Sequence, residues 1–351
     1  EKEGRVAERI DHFLQGVGVR RGKDGLWETI PEALERYGIE RLKSRKPLET
    51  EEYRKYNFFK VSPEQAVKIA IAILEEYGIK DWTVYISPTT SSYSVVWREK
   101  GELVKRITIP GKGKRGLVNT LVVLAHEIEG HVLRNVNAQE IPLKLIQEFP
   151  VELAGIFSEA GAMYIEDQTR IEICKMPSPA EPYYFLALLE KRRKGSFKEC
   201  FAKVLKAREK REKKEEKEPQ IDPLRAKFTG QTSRPTQWRK AWGDVLRVFR
   251  SHTPLDDTSG YLPNSAVLEY LEQELVTGPL FEKGLEKLLA VSGVNPYWIY
   301  DLFRLGFLDL EKIKEPQMVV AKVIWPKIKE ILDRGKSLEE AIAKLKFFEA
   351  N

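Results

Sequence analysis

The sequence predicts an α+β fold that is mostly helical and contains one small antiparallel sheet. Helical periodicity dominates the chain, whereas three neighbouring segments, "DWTVYISP", "SYSVVWRE" and "LVKRITIP", are rich in β-branched and aromatic residues. Of the 351 residues, 42% are hydrophobic and 10% are aromatic, which is enough apolar material for a globular core. A chain of this length forms one elaborate domain or two closely packed ones.

The sequence predicts three helices in the first half of the chain. The first is "SPEQAVKIAIAILEEYGI", in which Ser62 is a suitable N-cap and Gln65 can close a capping box. The second follows the break "GKGKRG", and the third begins near Pro150 and runs through "VELAGIFSEAGAMYIED". The second helix has a core-facing stripe at i, i+4, i+7 and i+11, formed by Leu117, Leu121, Leu124 and Ile128.

We expect three regions along the chain. Residues 1–60 form an N-terminal helical and connecting segment, residues 61–310 the main domain, and residues 311–351 a C-terminal helical segment packed on it. Within the main domain, residues 191–220 are dense in charges of both signs, which favours a solvated helix with a mobile connection. A docking patch for an acidic partner is the alternative for this stretch.

One further helix, "TQWRKAWGDVLRVFR", is amphipathic, and we interpret its apolar side as core packing. That side consists of Trp238, Trp242, Val245 and Phe249.

Charge and cysteine content exclude several classes of function. The 59 Lys and Arg residues exceed the 53 Asp and Glu residues by six, a mixed surface with a basic bias that favours an acidic peptide tail as partner. Nucleic-acid binding is not expected, because no basic stripe with interleaved aromatic residues is present. Cys174 and Cys200 lack CxxC spacing and are expected to be free thiols. With no apolar run long enough for a bilayer, we expect a cytoplasmic protein.

The segment "LAHEIEGHVLR", residues 124–134, contains two of the four histidines, His126 and His131. Imidazole and carboxylate groups are the ligands of catalytic zinc sites. Side chains five residues apart point about 140° apart on an ideal α-helix, so they cannot face one ion. One extra residue in the helix, such as a π-bulge, would bring them together, and Gly130 offers backbone latitude for it.

Glutamates in and after this motif supply the remaining chemistry. Glu127 follows the first histidine and is the candidate general base, whereas Glu129 is assigned behind the ligands or on the surface. A third ligand is expected from the next helix, and Glu159 is preferred because small residues surround it. The candidates that spacing alone leaves open are Glu148, Glu152, Glu159 and Glu166.

The order of strand, histidine helix and glutamate helix is the order that a zinc peptidase needs. In that interpretation the strand ending "RITIP" is an edge strand. Its residues 106–110 would align a peptide substrate by strand addition.

The segments "HEIEGHVLRNVNAQ" and "VELAGIFSEAGAMYIED" resemble the microtubule-associated tyrosine carboxypeptidase family and its bacterial relatives. Those relatives carry a QEGLA motif and are described as flavohaemoglobin expression-modulating. In that family an HExxxH helix is followed by an E-G-L-A-like segment, which reads "SEAGA" here, with one residue inserted between the glutamate and the glycine. The resemblance implies a zincin-like fold in which His126, His131 and Glu159 bind Zn²⁺ and Glu127 is catalytic.

Weaker resemblances extend downstream, to roughly residue 310. "VLRVFRSH" resembles a family segment with an R-G pair and indicates Arg250, and "VLEYLEQE" resembles a Y-L-x-G segment and indicates Tyr270. A carboxypeptidase must hold a terminal carboxylate, which arginine does best through paired hydrogen bonds. Arg250, with Arg247 behind it, is the candidate for this role, and His252 and Tyr270 are candidates for stabilising the oxyanion.

The sequence therefore predicts a zinc-dependent peptidase, specifically a carboxypeptidase that trims the C-terminal tail of a peptide or protein. Two alternatives stay open. One is a catalytically degenerate binding protein of the same fold, and the other is an exopeptidase similar to dipeptidyl peptidase III, which also carries an HExxGH string. A structural zinc that only braces helices is a further possibility, which a fourth protein ligand would indicate.

Overall fold

A computed structural model of the chain describes residues 50–99, 102–143, 154–176, 186–187, 190, 196–215, 237–249 and 302–345. These residues confirm an α+β fold that is mostly helical and contains a small sheet. By its internal contacts the chain divides into two compact units. Pro47–Pro179 and Glu272–Asn351 form the unit that holds the histidine motif, here called the motif unit, and Glu1–Lys46 and Ala180–Leu271 form the second unit. The sequence-based boundaries at residues 60 and 310 stay predictions.

The motif unit begins, within the described residues, with two capped helices. Helix α1 spans Glu51–Asn57, and helix α2 spans Pro63–Glu76. The predicted capping box is confirmed, because Ser62 Oγ accepts from the Gln65 backbone N–H and Gln65 Oε1 accepts from the Ser62 N–H. The short strands β1 (Lys60–Val61) and β5 (Arg115–Gly116) pair antiparallel beside them.

The main sheet contains three strands: β2 (Thr83–Ser87), β3 (Ser94–Glu99) and β4 (Glu102–Pro110). Strands β3 and β4 form the expected antiparallel pair. The all-antiparallel prediction is wrong for β2, which pairs parallel to β4. The β3–β4 hairpin is local and readable from the sequence, whereas the partner of β2 is chosen by tertiary packing.

The strand order is β2–β4–β3, so β4 is the central strand. The prediction that residues 106–110 of β4 form a substrate-binding edge is therefore wrong, since Arg106 to Pro110 pair with β2 and Arg106 to Thr108 also pair with β3. Among the described strands, β3 pairs with β4 alone, and it packs beside the histidine motif.

Two long helical stretches enclose the core of the motif unit. Helix α3 (Leu117–Ala125), a π-helix (His126–Val132) and helix α4 (Leu133–Ala138) follow one another without a break. Helix α5 spans Ala154–Cys174 and packs along them. The predicted stripe is confirmed as core, since its four side chains are fully buried: Leu117, Leu121, Leu124 and Ile128.

The C-terminal part of the chain joins the same core. A second π-helix (Val320–Ile324) leads into helix α8 (Trp325–Asp333), and helix α9 spans Leu338–Ala343. Their apolar side chains belong to one hydrophobic cluster with α1, α2, β4 and α3. The segment is therefore part of the body that supports the histidine helix.

In the second unit, helix α6 (Phe197–Glu215) packs against helix α7 (Gln237–Phe249). Val245 and Phe249 are buried as predicted. Trp238 and Trp242 are not core residues, because they keep 51% and 37% of their surface exposed. They lie at the rim of the helix pair, stacked with ring centroids 5.4 Å apart.

Helix α6 carries the described part of the charged stretch, and Lys203, Lys206 and Glu209 on it are exposed. A buried ion pair fixes it to α7, in which Arg208 Nε donates to Asp244 Oδ2 at 2.7 Å. Within the described part of the chain, every helix is too short or too polar to cross a bilayer.

Candidate metal centre

The two motif histidines lie on one face of the helix because the helix changes its winding at this point. Residues His126–Val132 form a π-helix, which confirms the predicted extra residue. In a π-helix the hydrogen bonds run from i to i+5, so residues five apart stack above one another. The rings of His126 and His131 accordingly lie 5.0 Å apart between centroids.

Gly130 is needed for a different reason from the one that the sequence suggested. Its backbone φ is not positive, so the special freedom of glycine is not used. A Cβ at this position would instead overlap Cα and Cβ of Ala162 on α5. The missing side chain lets α5 approach the histidine turn closely enough to bring a third ligand to it.

Helix α5 supplies that third group. Oε1 of Glu159 lies 3.4 Å from Nε2 of His126, and Oε2 of Glu159 lies 3.1 Å from Nε2 of His131. Each of the three residues offers a ligand atom within 4.8 Å of the others, so the group could hold a metal ion. The Glu159 side chain keeps 34% of its surface exposed, which leaves the group accessible from solvent.

The same helix also contacts the outer nitrogen of each histidine ring. Oε2 of Glu166 lies 3.2 Å from Nδ1 of His126. Oγ of Ser158 lies 3.2 Å from Nδ1 of His131. Both rings therefore turn Nε2 toward Glu159 and Nδ1 toward a second polar group.

Electrostatics in the group favour a charged cluster in the absence of a metal. Burial opposes protonation of His126, but the carboxylates of Glu159 and Glu166 outweigh it and raise the pKa of His126 to about 10. Burial also opposes ionisation of Glu159, yet the two histidines hold the pKa of Glu159 well below its usual value. The three charges on His126, Glu159 and Glu166 form an environment in which a cation can replace a proton.

Glu127 lies in the same electrostatic environment without belonging to the three-residue group. It is 8% exposed, and burial raises the pKa of its carboxyl, while His126 and His131 oppose the rise. A carboxylate with a raised pKa beside a possible metal site has the property that a general base requires.

Glu129, which the sequence assigned behind the ligands or on the surface, is not a surface group. It is fully buried, and Tyr77 Oη donates to its Oε2 at 2.5 Å. The backbone N–H groups of Val319 and Val320 donate to its two oxygens, each at 2.9 Å. Glu129 thus ties the histidine helix to the start of the second π-helix.

A polar network lies behind His126. Oε1 of Glu166 accepts from Nη2 of Arg170 at 3.2 Å, and Nη1 of Arg170 lies 3.5 Å from Oδ1 of Asn119. The same Asn119 oxygen accepts from Tyr53 Oη at 3.2 Å. The network therefore connects α5 with α3, the helix that leads into His126.

The remaining predicted site residues are not brought into this group by the described structure. Arg247 belongs to helix α7 of the second unit, and its side chain lies outside the described features. The other five positions lie outside the described residues: Glu148, Glu152, Arg250, His252 and Tyr270. Their roles stay predictions.

Sequence reasoning missed the partners of the outer nitrogens. Glu166 was considered only as a third ligand, although its spacing of seven from Glu159 puts both on one helix face. Ser158 was not considered, although it precedes Glu159 directly.

Comparison of the whole chain with known protein families finds no family model that matches, and comparison with curated proteins finds no match.

Proposed function

We propose that this chain is a zinc-dependent peptidase of zincin-like architecture that trims C-terminal residues from a peptide or protein tail. The observation that carries the proposal is the convergence of His126, His131 and Glu159, with the buried Glu127 next to the first histidine. The relationship to the microtubule-associated tyrosine carboxypeptidase family that the motifs suggest is part of the same proposal.

Zinc is the proposed ion because of the donor set and its spacing. Two imidazole nitrogens and one carboxylate form a three-ligand set that leaves a fourth position open, as in catalytic zinc sites. With metal–ligand bonds of about 2.05 Å, the edge of a tetrahedron around zinc is about 3.3 Å long. His126 Nε2 lies 3.4 Å from Oε1 of Glu159 and His131 Nε2 lies 3.1 Å from Oε2, so each histidine has one carboxylate oxygen at about the length of that edge.

Zinc would supply Lewis-acid chemistry, lowering the pKa of a water molecule and polarising the carbonyl to be cleaved. The residues of the chain would do the rest. Oε of Glu127 would take a proton from the attacking water and pass it to the nitrogen of the leaving residue. Burial of Glu127 supports this role, because a raised pKa keeps the carboxylate basic enough to hold the proton between the two steps.

Strand β3 is the proposed docking edge for the substrate backbone. It replaces the central strand β4 in this role, because β3 packs beside the histidine turn and pairs with β4 on one side. An extended peptide could add to its other side by backbone hydrogen bonds. Arg250, with Arg247 behind it, stays the proposed partner of the terminal carboxylate, and His252 and Tyr270 stay the candidates for stabilising the oxyanion.

The test is cleavage of a peptide set that varies in the last residue, with products identified by mass spectrometry. The wild-type chain with zinc should shorten peptides from the C-terminus, and Glu127→Gln should lower turnover by at least about 100-fold. Glu127→Gln should still bind one zinc ion, because its side chain is not among the three ligands.

Two results would contradict the proposal in different ways. A zinc-loaded wild-type chain that cleaves none of the peptides would indicate a binding protein. Cleavage inside the peptides would keep the peptidase but exclude the carboxypeptidase. His131→Ala serves as the control for metal dependence, since it removes a ligand and should lose both zinc and turnover.

A further inference from the structure

Helix α5 contacts both histidines on the side away from the proposed ion, with a carboxylate at one ring and a hydroxyl at the other. His126 Nδ1 faces the carboxylate of Glu166, and His131 Nδ1 faces the hydroxyl of Ser158, each at 3.2 Å. An ionised acceptor bonds a ring N–H roughly twice as strongly as a neutral one. The acceptors that face the two rings therefore differ in the strength of the hydrogen bond that each can form.

We propose that Glu166 is the positioning residue of this centre. It holds the His126 ring through Nδ1 so that Nε2 faces the ion, and Arg170 and Asn119 hold Glu166 in turn. The inference rests on the metal site of the proposed function. It adds that Glu166, through His126, determines how tightly that site binds the metal.

The chemistry of the imidazole ring requires such a partner. An ion on Nε2 takes the lone pair of that nitrogen, so the proton of the neutral ring must reside on Nδ1. That nitrogen is buried, and within the described part of the chain no other group forms a hydrogen bond to it. The Glu166 contact, at 3.2 Å, is close enough for a hydrogen bond but is not aligned as one.

Glu166 is itself fixed in a way that suits this task. Its two oxygens have separate partners, since Oε1 accepts from Arg170 at 3.2 Å and Oε2 faces His126. Arg170 extends to Asn119, which lies seven residues before His126 on the same helical stretch. The carboxylate is thus held from both helices and cannot swing away without breaking the Arg170 pair.

The geometry also separates Glu166 from a fourth ligand. Nδ1 and Nε2 lie on opposite sides of the ring, so a carboxylate on Nδ1 faces away from an ion on Nε2. Glu159 has the opposite arrangement, with both oxygens toward Nε2 atoms. Glu166 therefore acts through His126 and does not contact the ion.

The experiment measures zinc affinity by chelator competition, and the absorption spectrum of the cobalt(II)-loaded protein, without any substrate. Glu166→Gln should bind one zinc per chain about 10- to 100-fold more weakly than wild type, with a shifted cobalt spectrum of unchanged coordination number. Ser158→Ala should lose less, and Glu166→Asp should recover part of the loss. Glu172→Gln, an exposed glutamate of the same helix, should match wild type.

The outcomes separate this inference from the proposed function. Wild type that binds no zinc would overturn both, whereas wild type that binds zinc but cleaves nothing leaves the inference intact. Affinity of Glu166→Gln within about threefold of wild type would overturn the inference alone. Loss of zinc and of the cobalt spectrum in Glu166→Gln, as expected for Glu159→Gln, would make Glu166 a ligand and equally overturn it. If Glu166→Gln fails to fold, Glu166→Asp decides between the same outcomes.

Discussion

At the scale of single residues, the candidate centre is a cluster of opposite charges that a metal ion would reorganise. His126 lies between two carboxylates, Glu159 on one ring nitrogen and Glu166 on the other. Glu127 is buried one residue further on and is not a member of the three-residue group. Consecutive residues in one helical turn thus receive different roles from the direction in which each side chain points.

Zinc binding should release a proton from His126. The neighbouring carboxylates overcome burial and raise the pKa of His126 to about 10, so the metal-free protein carries a proton there at neutral pH. A metal binds the neutral ring, and the proton must leave. The dissociation constant for zinc should therefore fall about tenfold for each unit that the pH rises between about pH 6 and pH 8.

Calorimetry in two buffers of different ionisation enthalpy measures the proton release directly. Zinc affinity that does not depend on pH in this range would mean that His126 is neutral in the metal-free protein. The charged arrangement with Glu159 would then not form.

At the scale of elements, two helices must approach unusually closely for the centre to exist. The contact between Gly130 of the π-helix and Ala162 of α5 sets their separation. Ala162 lies three residues after Glu159, so any displacement of α5 at this contact is transmitted to the third ligand. The small residues around Glu159 are therefore a geometric requirement of the site.

Gly130→Ala should destabilise the fold and weaken zinc binding together. The added Cβ would overlap Ala162, and such overpacking costs about 1–3 kcal/mol in free energy of unfolding. Gly243→Ala on α7 is the matched control, because no atom lies within 4 Å of its added Cβ. That substitution should stabilise its helix by up to about 1 kcal/mol. Denaturant unfolding and zinc titration measure both variants, and unchanged zinc affinity in Gly130→Ala would show that the close approach does not position Glu159.

At the scale of the whole molecule, residues far apart in sequence complete the support of the histidine helix. Glu129 accepts hydrogen bonds from the backbone of Val319 and Val320, about 190 positions away. Tyr77, the C-cap of helix α2, donates from its hydroxyl to the same carboxylate. The same hydroxyl accepts from the Gln317 N–H at 2.8 Å. The segment after residue 314 is thus bonded to the motif at a fully buried point.

Glu129→Gln should lower the free energy of unfolding by about 2 kcal/mol, because a carboxamide nitrogen cannot accept from the N–H groups that it would face. Both carboxylate oxygens are acceptors in the native structure, so at least one buried donor loses its partner. Glu172→Gln, with 56% of its side chain exposed, should change stability by less than about 0.5 kcal/mol. Equal stability of the two variants in denaturant unfolding would mean that Glu129 is a neutral acid bonded through one oxygen.

The sequence by itself determined the local features. The capping box at Ser62, the buried stripe of α3 and the need for an extra residue between His126 and His131 follow from periodicity and helix geometry, and all three are present. These features depend on residues near one another in the chain, so the sequence pattern alone predicts them.

Only the tertiary structure decided which distant groups meet. Tertiary packing made β4 the central strand of the sheet and buried Glu129 against the start of the second π-helix. It also brought Glu159 to Nε2 of His126 and Glu166 to Nδ1 of the same ring. Spacing puts several glutamates on one helix face, but the distance at which that face meets the histidine helix depends on a contact between Gly130 and Ala162. Such contacts join residues that the sequence keeps apart, and packing alone selects them.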